Sequence, residues 1–181
     1  MNTYLEIEDL FLSASAAEYL GEDITLVEHM IQCAELAQRD NAPSWLVVAA
    51  LLHDIGHILS VDAAHAQDSG VDRHHDLVGA DWIAQRFPEN IVQVVKLHVE
   101  AKKYLVANDK SYFDKLSEAS KVTLKIQGGE FTSAQSQEFL ATPFSAEAIR
   151  LRIWDDCGKK RGGTELTLAD FKDAIEENAL A

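Results

Sequence analysis

Cysteine is nearly absent: Cys33 and Cys157 are the only two in 181 residues, too few and too far apart for a disulfide framework. Both read as core-type thiols of a protein from a reducing compartment. Positive charge is also scarce, since 16 basic residues face 30 acidic ones and the formal net charge is -14. That balance works against binding to nucleic acid or to anionic membranes, whose phosphates attract basic faces, and leaves small-molecule chemistry. Nowhere do roughly 18 apolar residues run together, and the start, "MNTYLEIEDLFLSASAAEYL", has no basic segment ahead of an apolar one. Neither a membrane span nor a secretory leader is expected, which points to a soluble cytoplasmic protein. Repeats and low-complexity tracts are missing too; the likeliest flexible piece is "SVDAAHAQDSGVDRHHD", residues 60–76.

What is present is helical periodicity. The length suits one domain, residues 1–181, and 47% hydrophobic content suffices for a core. In "DITLVEHMIQCAELAQRD" the residues Ile24, Val27, Met30, Ile31, Ala34 and Leu36 recur near helical spacing, with Asp23 as the expected N-cap. "SWLVVAALLHDIGHIL" follows Pro43, has Ser44 as a cap candidate, and is apolar nearly all round, as expected of a central helix enclosed by others. Further helices are expected in "LVGADWIAQRF", "NIVQVVKLHVEAKKYLVA", "KLSEASKVTLKIQGG", "SAEAIRLRIWDDCG" and "TLADFKDAIEENAL". The β-branched run "NIVQVVKL" has some strand character, but its continuation through "HVEAKKYL" favours a helix. The fold class expected is all-α.

The chemistry stands in "AALLHDIGH", where an apolar run ends in His53, Asp54 and His57. Buried imidazole and carboxylate cost free energy unless something pairs with them, and a metal is a natural partner. His29, His53, Asp54, His75, His98 and Asp155 fall within or at the ends of expected helices, and a helical bundle can aim such side chains into one cavity. Nitrogen and carboxylate donors without thiolate suit iron, manganese or zinc, with Asp54 able to bridge two ions. The competing interpretation is a set of hydrogen-bonded or solvated polar pairs.

The order His29, His53-Asp54, a later histidine and a late aspartate resembles the HD-domain superfamily, all-helical metalloproteins that are mostly phosphohydrolases. The resemblance implies that one metal takes His29, His53 and Asp155, a second takes His75 and His98, and Asp54 bridges them. His75 is preferred to His74 because "HDLVGA" has the family's histidine four residues before a glycine; His74 and His65 read as exposed loop histidines. "LSEASKVTLKIQGG" is similar to the Leu-Ser-x-x-Ser and Gln-Gly-Gly segment of the superfamily's oxygenase branch, and "RIWDDCGKK", with Lys159 four residues after Asp155, looks like that branch too. The branch holds myo-inositol oxygenase and the PhnZ-like phosphonate-cleaving oxygenases, and this chain's length favours the latter.

That resemblance spans about residues 19–160 and implies two iron ions in the mixed-valent Fe(II)/Fe(III) state, with O2 as co-substrate. The reaction implied is O2-dependent cleavage of the C–P bond of a 1-hydroxy-2-aminoethylphosphonate or its N-trimethyl analogue, giving phosphate plus glycine or glycine betaine. Tyr19, three residues before Glu22, resembles a tyrosine that holds an iron position until substrate arrives, and Glu22 then faces the substrate's cationic end. His57, Lys102, Ser120 and Arg152 would meet the phosphonate oxygens, with Tyr19, Glu22, His57 and Lys102 the residues nearest the chemistry. A phosphonate hydroxylase acting beforehand is implied as well. The alternative is an HD-type phosphohydrolase of a nucleotide or small phosphoester, and a third class is a metabolite-sensing HD module without catalysis. The C-terminal stretch, about 164–180, reads as a polar tail helix with no assigned role.

Overall fold

A run of seven buried apolar residues, Leu46 to Leu52, forms the middle of the molecule, because a helix apolar on every side is stable only when neighbours cover all of it. A computed structural model of the chain describes residues 2–15, 19, 22–60 and 74–181. The stretch expected to be flexible lies almost wholly outside the described residues, as does His65.

In chain order the helices are α1 (Thr3–Ser13), α2 (Leu26–Arg39), α3 (Ser44–Leu52), α4 (Ile55–Leu59), α5 (His75–Ile83), α6 (Glu89–Asn108), α7 (Lys110–Lys115), α8 (Glu118–Ile126), α9 (Ser133–Ala141) and α10 (Ser145–Cys157). A 3-10 turn at Leu168–Phe171 then leads into α11 (Lys172–Asn178). Among the described residues there is no strand, as expected of an all-α chain. Central α3 packs against α2, α6, α10 and α11, while α6 is also lined by α5 and α10.

Several boundaries differ from expectation for local reasons. The cap of α2 is Thr25, not Asp23: Thr25 is extended and its hydroxyl accepts the Glu28 N–H at 3.2 Å. Pro43 occupies the cap position of α3, and Ser44 is its first helical residue. The segment "SWLVVAALLHDIGHIL" is two helices, broken at Asp54 (φ -103°, ψ 12°). "KLSEASKVTLKI" is also divided, because Ser117 leaves the helix and caps α8 by accepting the Ser120 N–H at 3.1 Å. Cys33 is buried as expected, but Cys157 is exposed: it ends α10, and the chain turns away beyond it. The tail is no solvated appendage, since Leu168, Phe171 and Ile175 belong to the main hydrophobic core.

Candidate metal centre

The break at Asp54 builds the centre. On a continuous helix adjacent residues point about 100° apart, so His53 and Asp54 would not share a target. With Asp54 in the bridge region between α3 and α4, the imidazole and the carboxylate converge. His29 comes from the middle of α2, His75 from the first position of α5, His98 from α6 and Asp155 from α10. The close approach of α5 depends on glycine: a Cβ on Gly56 would lie 1.9 Å from the His75 carbonyl oxygen, and Gly79 faces Gly56 across the same contact. "HDLVGA" therefore carries a packing signal as well as a histidine.

The distances sort into two halves. Asp54 Oδ2 lies 3.6 Å from His29 Nε2 and 3.5 Å from His53 Nε2, and Asp155 Oδ1 is 3.5 Å from the same His29 nitrogen. Asp54 Oδ1 lies 3.4 Å from His75 Nε2 and 3.7 Å from His98 Nε2. His29, His53 and His98 each donate Nδ1–H to a backbone carbonyl, those of Gly158, Ala50 and Val95. These acceptors assign the tautomers and leave each Nε2 with a bare lone pair pointing inward. His29 Nε2 and His53 Nε2 then face each other at 3.2 Å, acceptor against acceptor. Among the described residues, Asp54 Oδ2 and Asp155 Oδ1 are buried with no hydrogen-bond partner. Buried acceptors of this kind normally find a donor, so a cluster made only of acceptors fits a cation.

Charge follows the same logic. Burial lowers the His29 pKa to about 4, keeping the ring neutral and able to ligate at neutral pH. Burial also lowers His75, His98 and His57. For Asp155, burial alone would raise the carboxyl, but Arg152 and Lys159 hold it well below the usual carboxylate range. Burial opposes ionisation of Asp54 as well, and the surrounding imidazoles reverse that effect. Cys33 approaches both ring nitrogens of His29 at 3.7 Å, so His29, Cys33 and His53 form another donor set. Its thiol is directed at the Trp154 carbonyl and burial pushes its pKa far up, which disfavours the thiolate that a metal takes. Asp155 is the better fourth donor.

The remaining expected residues gather around this cluster. Tyr19 stacks on the His29 ring at 4.1 Å, and its buried hydroxyl is held protonated by burial and by Asp54. His57 stacks on His75 at 4.0 Å, with Nε2 3.9 Å from Asp54 Oδ1. Lys102 is buried and donates to Thr123 Oγ1 at 3.0 Å. Arg152 pairs with Asp155 at 2.7 Å, and one N–H on each terminal nitrogen stays uncommitted by the contacts to Asp155 and Asp156. Glu22 accepts from Ser117 Oγ at 2.5 Å and lies 3.5 Å from Lys159 Nζ. Ser120 accepts from Lys159 at 3.0 Å. His74, exposed just before α5, adopts a left-handed conformation.

Sequence reasoning gave Lys159, Ser117, Thr123 and Asp156 no role at the site. Serines spaced by three across a helix start were the signal for Ser117 and Ser120: one caps α8 and grips Glu22, while the other meets Lys159. No helix among the described residues is long and apolar enough to cross a membrane.

The HD domain family model matches residues 13–157. The chain is 43% identical over 143 residues to the 1-hydroxy-2-(trimethylamino)ethylphosphonate dioxygenase (glycine-betaine-forming) of Leisingera caerulea, an alignment covering 79% of this chain and 73% of that protein. It is 38% identical over 160 residues to the hydroxymethylphosphonate dioxygenase of Gimesia maris, covering 87% and 79% respectively. An uncharacterised protein of Acanthamoeba polyphaga mimivirus is 32% identical over 162 residues, covering 88% of this chain and 72% of its own. The chain belongs to the HD-domain family and, within it, to the branch of phosphonate dioxygenases.

Proposed function

We propose that the chain is an O2-dependent diiron oxygenase that cleaves the C–P bond of a 1-hydroxyphosphonate bearing an amino or trimethylammonio group on C2. The products are phosphate and glycine or glycine betaine. The observation that carries this reading is the divided Asp54 carboxylate, each oxygen facing its own histidine pair, His29 and His53 on one side and His75 and His98 on the other. One ion would be held by His29, His53, Asp54 and Asp155, and the other by Asp54, His75 and His98. Iron cycling between ferrous and ferric states would supply the activation of O2. The reaction balances without an external reductant: C1 loses its hydrogen and its bond to phosphorus, and the two atoms of O2 complete the carboxylate and the phosphate.

The chain's own groups bind and orient. Lys102, Arg152, Ser120 and His57 offer donors to the phosphonate, and charge-assisted bonds to such an anion are the strong kind. Tyr19 lies over the His29 ring and would move aside when substrate enters. Glu22, held by Ser117, would receive the cationic end. Hydroxymethylphosphonate, named for the Gimesia relative, has no such end and is the informative comparison. The proposed setting is a single HD domain in the cytoplasm, downstream of a hydroxylase that installs the 1-hydroxyl.

The test is phosphate release by the iron-loaded protein from 2-amino-1-hydroxyethylphosphonate, its trimethylammonio analogue and hydroxymethylphosphonate, each in air and under strict anaerobiosis. Oxygen-dependent release from a C2-ammonium substrate is expected. Turnover of a phosphoester without oxygen, and of none of the three phosphonates, would replace this reading with a hydrolase.

A further inference from the structure

Helix α10 carries an acid that the proposed chemistry does not use, Asp156. Arg152, Asp155 and Asp156 stand at i, i+3 and i+4, so their side chains meet on one face of the helix. The buried Arg152 guanidinium lies between the two carboxylates. Its Nη1 is 2.7 Å from Asp155 Oδ2, while Nη2 donates to Asp156 Oδ1 and Nε to Asp156 Oδ2 at 3.1 Å. Tyr112, from α7, closes the group: its hydroxyl donates to Asp156 Oδ2 and accepts from Arg152 Nε at 3.1 Å. Asp155 turns its other oxygen, Oδ1, toward His29 Nε2 at 3.5 Å, and that oxygen is buried without a hydrogen-bond partner among the described residues.

We propose that Asp156, braced by Tyr112, is a positioning residue for the metal centre: it occupies the Nε/Nη2 edge of Arg152 and so keeps the guanidinium from capturing both oxygens of Asp155. A guanidinium offered one carboxylate pairs with it through two parallel bonds. Here Asp156 takes that fork, and Asp155 receives a single bond on Oδ2. Two acids share the guanidinium, so Oδ1 stays outside its bonds, on the side facing His29, with only the Lys159 ammonium, 3.9 Å away, near it among the described cations. Without Asp156 the Arg152–Asp155 pair becomes neutral and closed, and Oδ1 is lost as a donor. The effect is confined to the half of the centre containing His29 and His53, because the group's contacts reach Asp155 and none of Asp54, His75 or His98. The inference rests on the two-ion reading above.

The test is anaerobic equilibrium dialysis of iron into the wild type, Asp156→Asn and Tyr112→Phe, with electron paramagnetic resonance of the loaded proteins and circular dichroism as a fold control. Asp156→Asn is expected to keep one ion at wild-type affinity and to bind the other roughly 10- to 100-fold more weakly, with an altered resonance signal and unchanged helicity. Tyr112→Phe, which removes only a hydroxyl, should move the same ion in the same direction by less. Retention of both ions at wild-type affinity in Asp156→Asn, or equal weakening of both, would overturn the positioning role. A wild type that takes up fewer than two ions would overturn the two-ion reading, and the selective effect with it.

Discussion

Lys102 is a buried amine whose side chain, among the described residues, is hydrogen-bonded only to Thr123 Oγ1, beside two other cations, Arg152 and Lys159. Burial, reinforced by Arg152, lowers its pKa from the ordinary 10.5 to about 7. A bound phosphonate would restore the proton, so above pH 7 binding must take one up, and affinity falls by up to about tenfold per pH unit. The expected outcome is a KM that is flat below pH 7 and rises above it, measured as a pH series. Lys102→Arg, which stays charged, should lose the rise; Lys102→Met should show a KM roughly 10- to 100-fold higher at pH 6.5 and no pH dependence from this group. A wild-type KM constant from pH 6 to 9 would count against an anion-binding lysine. Stability moves the opposite way. Between about pH 7 and 10.5 the unfolded chain holds the proton that the folded chain has lost, so the Lys102 contribution to stability rises with pH across that window.

At the scale of elements, the decisive contact joins α4 to α5. An alanine Cβ at Gly56 would meet backbone, at 1.9 Å from the His75 oxygen and 2.9 Å from the Gly79 nitrogen, so the helices would have to separate. At Gly79 the nearest atom is 3.2 Å away, a milder crowding. Gly56→Ala should therefore cost on the order of 1–3 kcal/mol in denaturant unfolding and weaken binding of the ion proposed for His75 and His98, with Gly79→Ala lesser on both counts. Equal effects, or none, would mean that this approach does not set the position of His75. The histidines and the central helix were legible because their spacing and apolar run are local. The break at Asp54 was not, since Ile55 and Ile58 continue the helical spacing of Leu51 across it and only the shared target of His53 and Asp54 requires it. Helix α1 was overlooked although Tyr4, Ile7 and Phe11 mark its buried face. Helix α9 buries little beyond Phe139, so its one readable sign was the capping box of Thr132 and Gln135.

The chain's last stretch matters at the scale of the whole molecule. Its first part straps α2: Gln32 donates to the Lys160 carbonyl at 2.6 Å and accepts the Lys160 N–H at 3.2 Å, which fixes the turn that presents the Gly158 carbonyl to His29 and Lys159 to Ser120. Its second part fills the core with Leu168, Phe171 and Ile175, and Asn178 ties α11 to Ser44 at the start of α3. The spacing of those three residues was readable, yet the surrounding polarity made the segment read as a polar tail helix with no role. The two parts should separate experimentally. Phe171→Ala removes a fully buried ring remote in sequence from every ligand, so a loss of about 3–5 kcal/mol is expected in denaturant unfolding, with metal affinity of the folded protein unchanged. Gln32→Ala removes two hydrogen bonds to the strap and should cost only about 1–3 kcal/mol, but it frees the acceptor that holds the His29 tautomer and should weaken the ion on that side. If Gln32→Ala leaves metal affinity intact while Phe171→Ala lowers it, the strap is packing alone, and the tail supports the centre through the core.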